Sequence, residues 1–546
     1  MSYDPFPWID RTVPFDMGRF FDHPGGRLWS IPSRGQARRK RICVIGGGVA
    51  GLAAAYELKQ AGHRVRLLEA TERLGGRVYT DRYTDPSGNV YQAELGAMRI
   101  PYSHFCTRQY VLEFGLTLRQ FVQENSKTLV YLAGMAAPQH RGDESQCVAA
   151  YGLAGPSTLR RSFDDLTRDA ISWMDPWTVL DLSKRDLASQ LYSQLTLWQY
   201  VAGWVLPALA PHLSIAPKPL LGQPDWEYEG RRSGAMWEEN TSCLEALVDY
   251  LVFSDRAMFE VVEGMDGLIR GFSRAMPSAI VTGARVHRVA ETDQGVTVSW
   301  SQSDGGSTVE DYDYVVCALP PAAILQIDFS PAIPRDQWSA LSNVNYGSAA
   351  KAAIHCTSRI WESRDGIYGG SSITDLGIEE IWYPADNAKA DPQSTRTGSP
   401  VIDFQGLTYV TDAIDWIARS PATTRTPGTL LAYMHGKNAR RFASLNPEGQ
   451  ERLVRDCLER IHPGIGAVIS KVVPKAWDGA ENPGGGAFAM FNPGEHVRYE
   501  AIVAEPLWAA DRRVFFAGEH VGGAHAWLQT SIQTALGAVW HVLASP

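Results

Sequence analysis

The sequence predicts an α/β fold in which one parallel sheet is assembled from separate stretches of chain, accompanied by a mixed-sheet domain and a helical subdomain. The first observation is a succession of strand, glycine loop, helix and strand over residues 41–69. The second is a return of β-rich runs between residues 261 and 319, after the block 155–250 with apolar residues at helical spacing. The third is a last apolar run at 514–517.

The individual elements follow from local patterns. The β-rich run 41–45 leads into a glycine cluster, a helix is predicted over 50–61 with Gly62 as its C-cap, and a second strand follows at 65–69. A Ser/Thr/Pro-rich stretch at 385–427 predicts a surface insertion. Before this stretch, we predict a small antiparallel set of strands at 279–281, 285–289 and 295–300. One buried parallel strand is predicted at 314–319.

Composition excludes several classes of protein. With 45% hydrophobic and 20% charged residues over 546 positions, the chain is typical of a globular protein of several domains. A formal charge of −9 argues against nucleic acid or an anionic membrane as the main partner. Seven scattered cysteines without a CxxC pair predict neither a metal site nor a disulfide framework. The absence of an apolar run of about 18 residues and of a secretory leader predicts a cytoplasmic protein without a membrane span.

Gly46, Gly48 and Gly51 form a GxGxxG pattern between the first strand and the helix. Such glycines permit a tight turn, a close approach of the backbone to a pyrophosphate, and close packing of helix on strand. Glu69 at the end of the second strand can accept hydrogen bonds from ribose hydroxyls and would repel a 2′-phosphate. The pattern therefore predicts a dinucleotide other than NADP, and the alternative is a glycine-rich turn that binds nothing.

Residues 45–52, Glu69 and residues 73–77 together resemble the flavin amine oxidase family. Residues 264–268, the strand around Val286 and residues 516–519 are similar to that family's later FAD segments. The resemblance implies a discontinuous Rossmann-like domain that binds FAD, with contacts from Gly46, Gly48, Val49, Ala50, Gly51, Glu69, Ala70, Gly76, Arg77, Gly96, Ala97, Met98, Arg99, Val286, Trp477, Gly518, Glu519, Trp527, Leu528 and Thr530.

The mode of flavin attachment depends on one position. Ala487 stands where monoamine oxidases, members of the same family, carry a cysteine bonded to the flavin. Alanine has no nucleophile, so the resemblance implies noncovalent FAD.

The domain organisation implied by the resemblance alternates between an FAD-binding domain and a substrate domain. Its boundaries are an N-terminal arm at 1–37, FAD segments at 38–105, 256–335 and 479–546, substrate segments at 106–150 and 336–478, and a helical domain at 151–255.

Residues 94–101 resemble the L-amino acid oxidases within this family and contain Arg99. A buried guanidinium is costly unless an anion neutralises it, and the α-carboxylate of an amino acid is such an anion. A simple amine offers no such group. The alternative is that Arg99 pairs with a protein carboxylate such as Glu94.

Residues 379–384 extend the resemblance and imply that the Tyr383 hydroxyl helps Arg99 to hold the carboxylate, with Trp382 as the alternative one position earlier. Lys351 is implied to hold a water against the flavin and to assist reoxidation. For Lys351 the alternative is an exposed lysine at the start of a strand.

Residues 518–527 resemble the C-terminal motif of the same enzymes. The resemblance implies that Trp527 walls the substrate cavity and that the backbone of Ala526 faces the amino group. His525 could accept the ammonium proton, because histidine titrates near neutral pH, and the alternative is a histidine of the core or surface. Aromatic side chains at Trp527, Trp382 and Phe488 predict a cavity for large apolar or aromatic substrates.

The resemblance implies oxidative deamination of an L-amino acid by FAD and O₂, which yields a 2-oxo acid, ammonia and hydrogen peroxide. Alternatives are an L-amino acid 2-monooxygenase that forms an amide, a primary amine or polyamine oxidase, and a flavoprotein without catalytic activity. The family also implies a homodimer or a higher homo-oligomer.

Overall fold

The computed structural model describes residues 39–102, 104–131, 137–140, 258–391, 401–404, 407–410, 415–420, 426–478, 482, 484–492, 494–508 and 512–545. The predicted N-terminal arm at 1–37 and the predicted helical domain at 151–255 lie outside these residues. The described α-helices are α1 (Val49–Gln60), α2 (Phe105–Glu113), α3 (Asp266–Ala275), α4 (Pro321–Ile324), α5 (Arg335–Asn343), α6 (Ile360–Ser363), α7 (Gly436–Ala443), α8 (Pro447–Ile461), α9 (Glu495–Ala504) and α10 (Leu528–Ala544).

The described strands fall into several sheets. In chain order they are β1 (Arg41–Ile45), β2 (Arg64–Leu68), β3 (Thr80–Thr84), β4 (Val90–Glu94), β5 (Ile100–Pro101), β6 (Leu118–Phe121), β7 (Leu129–Tyr131), β8 (Gln139–His140), β9 (Met258–Val261), β10 (Ile280–Val281), β11 (Ala284–Thr292), β12 (Gly295–Gln302), β13 (Ser307–Tyr312), β14 (Tyr314–Cys317), β15 (Asp328–Ser330), β16 (Asn345–Gly347), β17 (Ala349–Cys356), β18 (Ser371–Thr374), β19 (Glu380–Trp382), β20 (Ala388–Ala390), β21 (Val401–Phe404), β22 (Leu407–Val410), β23 (Trp416–Ala418), β24 (Gly428–His435), β25 (Ile469–Ala476), β26 (Phe488–Met490) and β27 (Val514–Phe516).

A five-stranded parallel sheet in the order β10-β2-β1-β14-β27 forms the centre of the nucleotide-type fold. Its inner strands are apolar runs buried on both faces, as parallel strands covered by other elements must be. The strands come from three distant stretches of chain, as the sequence predicts. One prediction was wrong: residues 280–281 pair in parallel with β2 and do not join the antiparallel set, which consists of β11, β12 and β13 with β15 pairing in parallel on β11.

The two faces of this parallel sheet are covered differently. The helices α1 and α10 pack against each other on one face, where α10 buries Ile532, Leu536 and Val539. On the other face the sheet packs against β11–β13 and α9. Both glycine-loop helix and C-terminal helix therefore share one apolar core.

A seven-stranded mixed sheet in the order β25-β17-β24-β19-β18-β7-β8 forms the second large body of the described chain. Side chains alternate between its two faces. One face packs against α8 and buries Ile354, Leu430 and Leu458. The opposite face meets the segment that contains Leu95 and Met98. The predicted insertion at 385–427 contains the short pairs β20–β23 and β21–β22.

A helix that crosses a lipid bilayer needs about 20 predominantly apolar residues. None of the helices of the described residues is both long and apolar enough to span a membrane.

Candidate active site

The loop between β1 and α1 is shaped by three glycines at the predicted positions. Gly46 has φ of +105°, which L side chains rarely adopt. A Cβ at Gly51 would lie 1.9 Å from the main-chain oxygen of Gly46, so only glycine permits this close packing of helix on loop. A Cβ at Gly48 would meet no atom within 4 Å. The open space beside Gly48, at the N-terminus of α1, fits a pyrophosphate group.

Glu69 is held against this loop by hydrogen bonds from the backbone. Its Oε2 accepts from the Gly47 N–H at 2.7 Å, and its Oε1 accepts from the backbone N–H and the hydroxyl of Thr71, each at 2.8 Å. Gly76 lies beside Gly48, because a Cβ at Gly76 would be 3.5 Å from the Gly48 Cα. The carboxylate thus lies beside the glycine loop, and its contact with a ribose stays a prediction.

Arg77 and Glu519 form a partly buried ion pair that joins two distant segments. Arg77 Nη1 lies 2.6 Å from Glu519 Oε1 and also donates to the main-chain oxygen of Ala487 at 3.0 Å. The backbone N–H groups of Ala489 and Ala526 each donate to Glu519 at 3.1 Å. Burial opposes ionisation of Glu519, but the charge of Arg77 outweighs it and holds the pKa at about 2. The carboxyl group is therefore ionised at every working pH.

The N-terminus of α10 contacts the N-terminus of α2. Trp527 is the N-cap of α10, and its ring lies 4.9 Å from the ring of His104 in an edge-on arrangement. The side-chain oxygen of Gln529 accepts a hydrogen bond from the backbone of Thr107 at 3.1 Å. These contacts fix the orientation of Trp527. The other predicted contacts of this segment follow β27 or begin α10, namely Gly518, Leu528 and Thr530.

Arg99 lies among aromatic side chains on the inner face of the mixed sheet. Its Cζ is 5.3 Å from the ring of Trp382 and 5.9 Å from that of Phe121. The carboxylate of Glu94, the alternative partner, accepts hydrogen bonds from the Thr80 hydroxyl at 2.8 Å and from the Met265 N–H at 3.1 Å. Burial raises the pKa of Glu94 to about 7. A guanidinium at this place has the fork geometry that matches a carboxylate.

Lys351 is buried, so the alternative of an exposed lysine was wrong. Its Nζ donates to the main-chain oxygen of Gly96 at 2.6 Å and to that of Glu94 at 3.3 Å, and it lies 4.5 Å from the centre of the Tyr433 ring. Burial, with the charge of Arg99, lowers the pKa of Lys351 to about 7. A lysine that titrates near neutrality can change its charge within the working range of an enzyme.

Tyr383 does not face Arg99, which corrects the role predicted for its hydroxyl. That hydroxyl lies 2.7 Å from Ser372 Oγ and 2.7 Å from His462 Nε2. Side chains alternate along a strand, and Trp382 takes the face towards Arg99 while Tyr383 takes the face towards α8. The alternative position, Trp382, is the one that the structure brings to the site.

His525 packs edge-on against Phe491, with the two ring centres 4.6 Å apart. It also lies near Glu500, whose pKa burial raises to about 8. Phe491 belongs to the apolar core beneath the parallel sheet. These surroundings favour the alternative of a core histidine over the predicted proton acceptor.

The remaining predicted contacts line the junction of the two sheets. A Cβ at Gly96 would lie 2.1 Å from the Arg77 main-chain oxygen, which also accepts from the Ala97 N–H at 3.2 Å. Trp477 Nε1 donates to the main-chain oxygen of Leu95 at 2.8 Å. Val49 and Ala50 are buried residues of α1, and Ala70 follows β2. Met98 packs on Trp382, and Val286 lies at a bulge in β11.

Three side chains of the site were not predicted. Tyr346 donates to Glu519 at 3.1 Å, Tyr433 lies under Lys351, and Glu380 accepts from Trp382 Nε1 at 2.7 Å. Glu380 lies two positions before Trp382, and residues two apart in a strand lie on the same face, so the sequence contains the signal that places Glu380 beside Trp382. No sequence pattern links Tyr433 to Lys351, because their strands are distant in the chain.

Residues 49–543 match the family described as flavin containing amine oxidoreductase. An L-amino-acid oxidase of Vipera ammodytes ammodytes is 28% identical over 508 residues, which are 91% of this chain and 92% of that protein. An L-amino-acid oxidase of Siganus canaliculatus is also 28% identical, over 92% of this chain and 85% of that protein. The structure of a putrescine oxidase with bound putrescine is similar in fold, with a TM-score of 0.67 and 17% identity over 93% of this chain and 99% of that one.

Proposed function

The chain belongs to the flavin-containing amine oxidoreductases, and from this premise we propose that it is an L-amino acid oxidase with noncovalently bound FAD. The substrates are proposed to be L-amino acids with large apolar or aromatic side chains. The products are the 2-oxo acid, ammonia and hydrogen peroxide, with O₂ as the electron acceptor. The names of relatives that match over most of their length support this choice over a simple amine.

One observation carries the proposal: Arg99 lies at the junction of the two sheets, beside the contacting rings of Trp382 and Phe121 and close to Lys351. Two charge-assisted hydrogen bonds from its guanidinium to an α-carboxylate would each contribute about 1.5–3 kcal/mol. The aromatic walls exclude water and so strengthen that interaction. The carboxylate would then be oriented with its α-carbon in a fixed position.

Three features of this chain are suited to binding FAD. They are the open space at Gly48, the Glu69 carboxylate and the Arg77–Glu519 ion pair. A flavin held by these residues would supply the redox chemistry for oxidation of the amino acid and reduction of O₂. Lys351 is held by hydrogen bonds from its Nζ to the main-chain oxygens of Gly96 and Glu94. Its role is to stabilise negative charge during reoxidation.

The test is a peroxide assay across L-amino acids, D-amino acids and primary amines, with Arg99→Ala beside the wild type. We expect activity on large apolar L-amino acids, and Arg99→Ala to lower kcat/KM at least about a hundredfold while flavin content is retained. Arg82→Ala is the control, because Arg82 forms an exposed ion pair with Asp266. Unchanged kcat/KM in Arg99→Ala, or activity confined to amines, would refute the substrate assignment, and an amide product would identify a monooxygenase.

The mode of flavin attachment is tested separately. Acid precipitation is expected to release the flavin into the supernatant, since Ala487 offers no nucleophile. A yellow pellet would contradict the proposal of noncovalent FAD. The dimeric or higher assembly and the cytoplasmic location stay predictions.

A further inference from the structure

Glu380 is a buried carboxyl group beside the proposed substrate site, and the proposed mechanism gives it no role. Only 3% of its surface is exposed. It lies on β19, two positions before Trp382, so both side chains occupy the same face of the mixed sheet. Trp382 Nε1 donates to Glu380 Oε2 at 2.7 Å, while the Trp382 ring lies 5.3 Å from the Arg99 Cζ. The indole thus connects the carboxyl group to the guanidinium.

The pairing of strands places Glu380 in a row with the cation of the site. Lys351 is paired with Tyr433 across β17 and β24, and Tyr433 is paired with Glu380 across β24 and β19. Directly paired residues point to the same face of a sheet. Lys351 Nζ lies 4.5 Å from the Tyr433 ring centre, which confirms this orientation for two of the three. Glu380 therefore faces the same buried space as Lys351.

Four charged or titratable groups act on Glu380 from the surrounding elements. Arg99, His435 on β24 and Lys351 on β17 attract its charge, whereas the neighbouring Glu379 repels it. Burial raises the pKa of Glu380 above its ordinary value, and the charges of His435 and Arg99 oppose that rise. The charge of Arg99 therefore helps to stabilise the ionised form of Glu380.

We propose that Glu380 is the resident counter-anion of the carboxylate site and sets its affinity for anionic ligands. In the empty site the Glu380 charge balances Arg99. When a ligand carboxylate reaches Arg99, Glu380 takes up one proton from solvent and becomes neutral, so the number of negative charges in the site is unchanged. The inference rests on the proposed function, because it requires Arg99 to bind a carboxylate.

Two consequences follow from this exchange. Binding of a carboxylate consumes a proton, so affinity falls as pH rises through the range in which empty-site Glu380 ionises. An uncharged residue of the same shape at position 380 strengthens binding at high pH, since it removes a buried negative charge from the vicinity of the ligand. The effect disappears at low pH, where Glu380 is already protonated.

The experiment measures benzoate binding to the flavin-loaded protein by isothermal titration calorimetry between pH 5 and 8.5, with benzamide as the uncharged ligand. Two buffers with different ionisation enthalpies count the protons taken up. Glu380→Gln keeps an oxygen that accepts from Trp382 but has no charge. Glu379→Gln is the matched control, because Glu379 is also buried but binds the His435 N–H and the Asn438 amide.

We expect the wild type to take up protons with benzoate at pH 8, and Glu380→Gln to bind benzoate at least about tenfold more tightly at that pH. The two affinities should converge towards the acidic end of the range, and benzamide affinity should differ little. Glu379→Gln should keep a pH-dependent affinity for benzoate, displaced to lower pH because the variant lacks the charge that repels ionised Glu380. A ratio of affinities that does not change with pH, or a proton uptake by Glu380→Gln equal to that of the wild type, would overturn the proposal. If Glu380→Gln does not fold, the wild type and Lys351→Met are compared: absence of proton uptake by the wild type, or its loss in Lys351→Met, overturns the proposal, and uptake that persists in Lys351→Met supports it. Failure of the wild type to bind benzoate at any pH would instead refute the carboxylate site itself.

Discussion

The hydroxyl of Tyr383 lies 2.7 Å from Nε2 of His462, whose Nδ1 lies 2.8 Å from Asp365. Ser372 Oγ lies 2.7 Å from the same hydroxyl and accepts from the Leu129 N–H at 2.8 Å. Tyr383 and His462 are both buried. This chain of hydrogen bonds ties β18, β19 and β7 to the end of α8, on the face of the mixed sheet opposite to Arg99.

Tyr383→Phe is therefore expected to lower stability without impairing catalysis. The substitution leaves the buried His462 Nε2 and the Ser372 hydroxyl without their partner, which costs about 1–3 kcal/mol. Thermal unfolding should show a lower Tm, while kcat/KM should remain within about twofold of the wild type. Trp382→Phe is the comparison, since it alters the wall that faces Arg99. A variant with wild-type Tm and lost activity would show that Tyr383 serves the site directly.

The glycine loop offers two substitutions with opposite expected outcomes. Gly48→Ala should fold, because its Cβ meets no atom within 4 Å, but should weaken flavin binding at least about tenfold by occupying the space of the pyrophosphate. Gly51→Ala should not fold, because its Cβ would lie 1.9 Å from a main-chain oxygen. Circular dichroism and bound flavin per chain distinguish the two. Full flavin content in Gly48→Ala would argue against a cofactor phosphate at this loop.

Lys351 should influence reoxidation more than substrate binding. Lys351→Met is expected to slow the reaction of the reduced enzyme with O₂ at least about tenfold, since it removes a buried cation. The pKa of about 7 implies that the cation is present below pH 7 and lost above it. The wild-type reoxidation rate, measured by stopped flow, should therefore fall as pH rises through 7, and the rate of the variant should not. Identical pH profiles would exclude Lys351 from this step.

Glu94 should make stability depend on pH. Its pKa is about 7 in the folded chain against 4.5 as the ordinary value, so the folded state binds more protons between these pH values. The stabilising contribution is complete below pH 4.5 and is lost as pH rises through 7. Relative to the wild type, Glu94→Gln should gain up to roughly 3 kcal/mol over that interval. Urea midpoints measured at pH 4.5 and pH 7.5 would check this, and a constant difference would contradict it.

Local rules predicted the nucleotide loop well and the substrate site less well. The spacing of Gly46, Gly48 and Gly51 is imposed by contacts within about one turn of chain, which a sequence displays directly. The choice between Trp382 and Tyr383 depends on which face of β19 is turned inward. That phase is set by pairing with β24 and β18, which no local pattern contains. The short strand β10 was misassigned for the same reason, since its partner β2 lies far back in the chain.

The strands of the parallel sheet come from distant stretches of the chain, and this has a consequence for folding during synthesis. Strand β27 and helix α10 are synthesised long after β1 and α1, yet β27 completes the sheet and α10 covers α1. Early synthesis therefore yields a glycine loop with its apolar helix uncovered, which invites association with other nascent chains. Loading of the prosthetic group must wait until β27 and α10 have been synthesised, and chains that end before Val514 should emerge colourless.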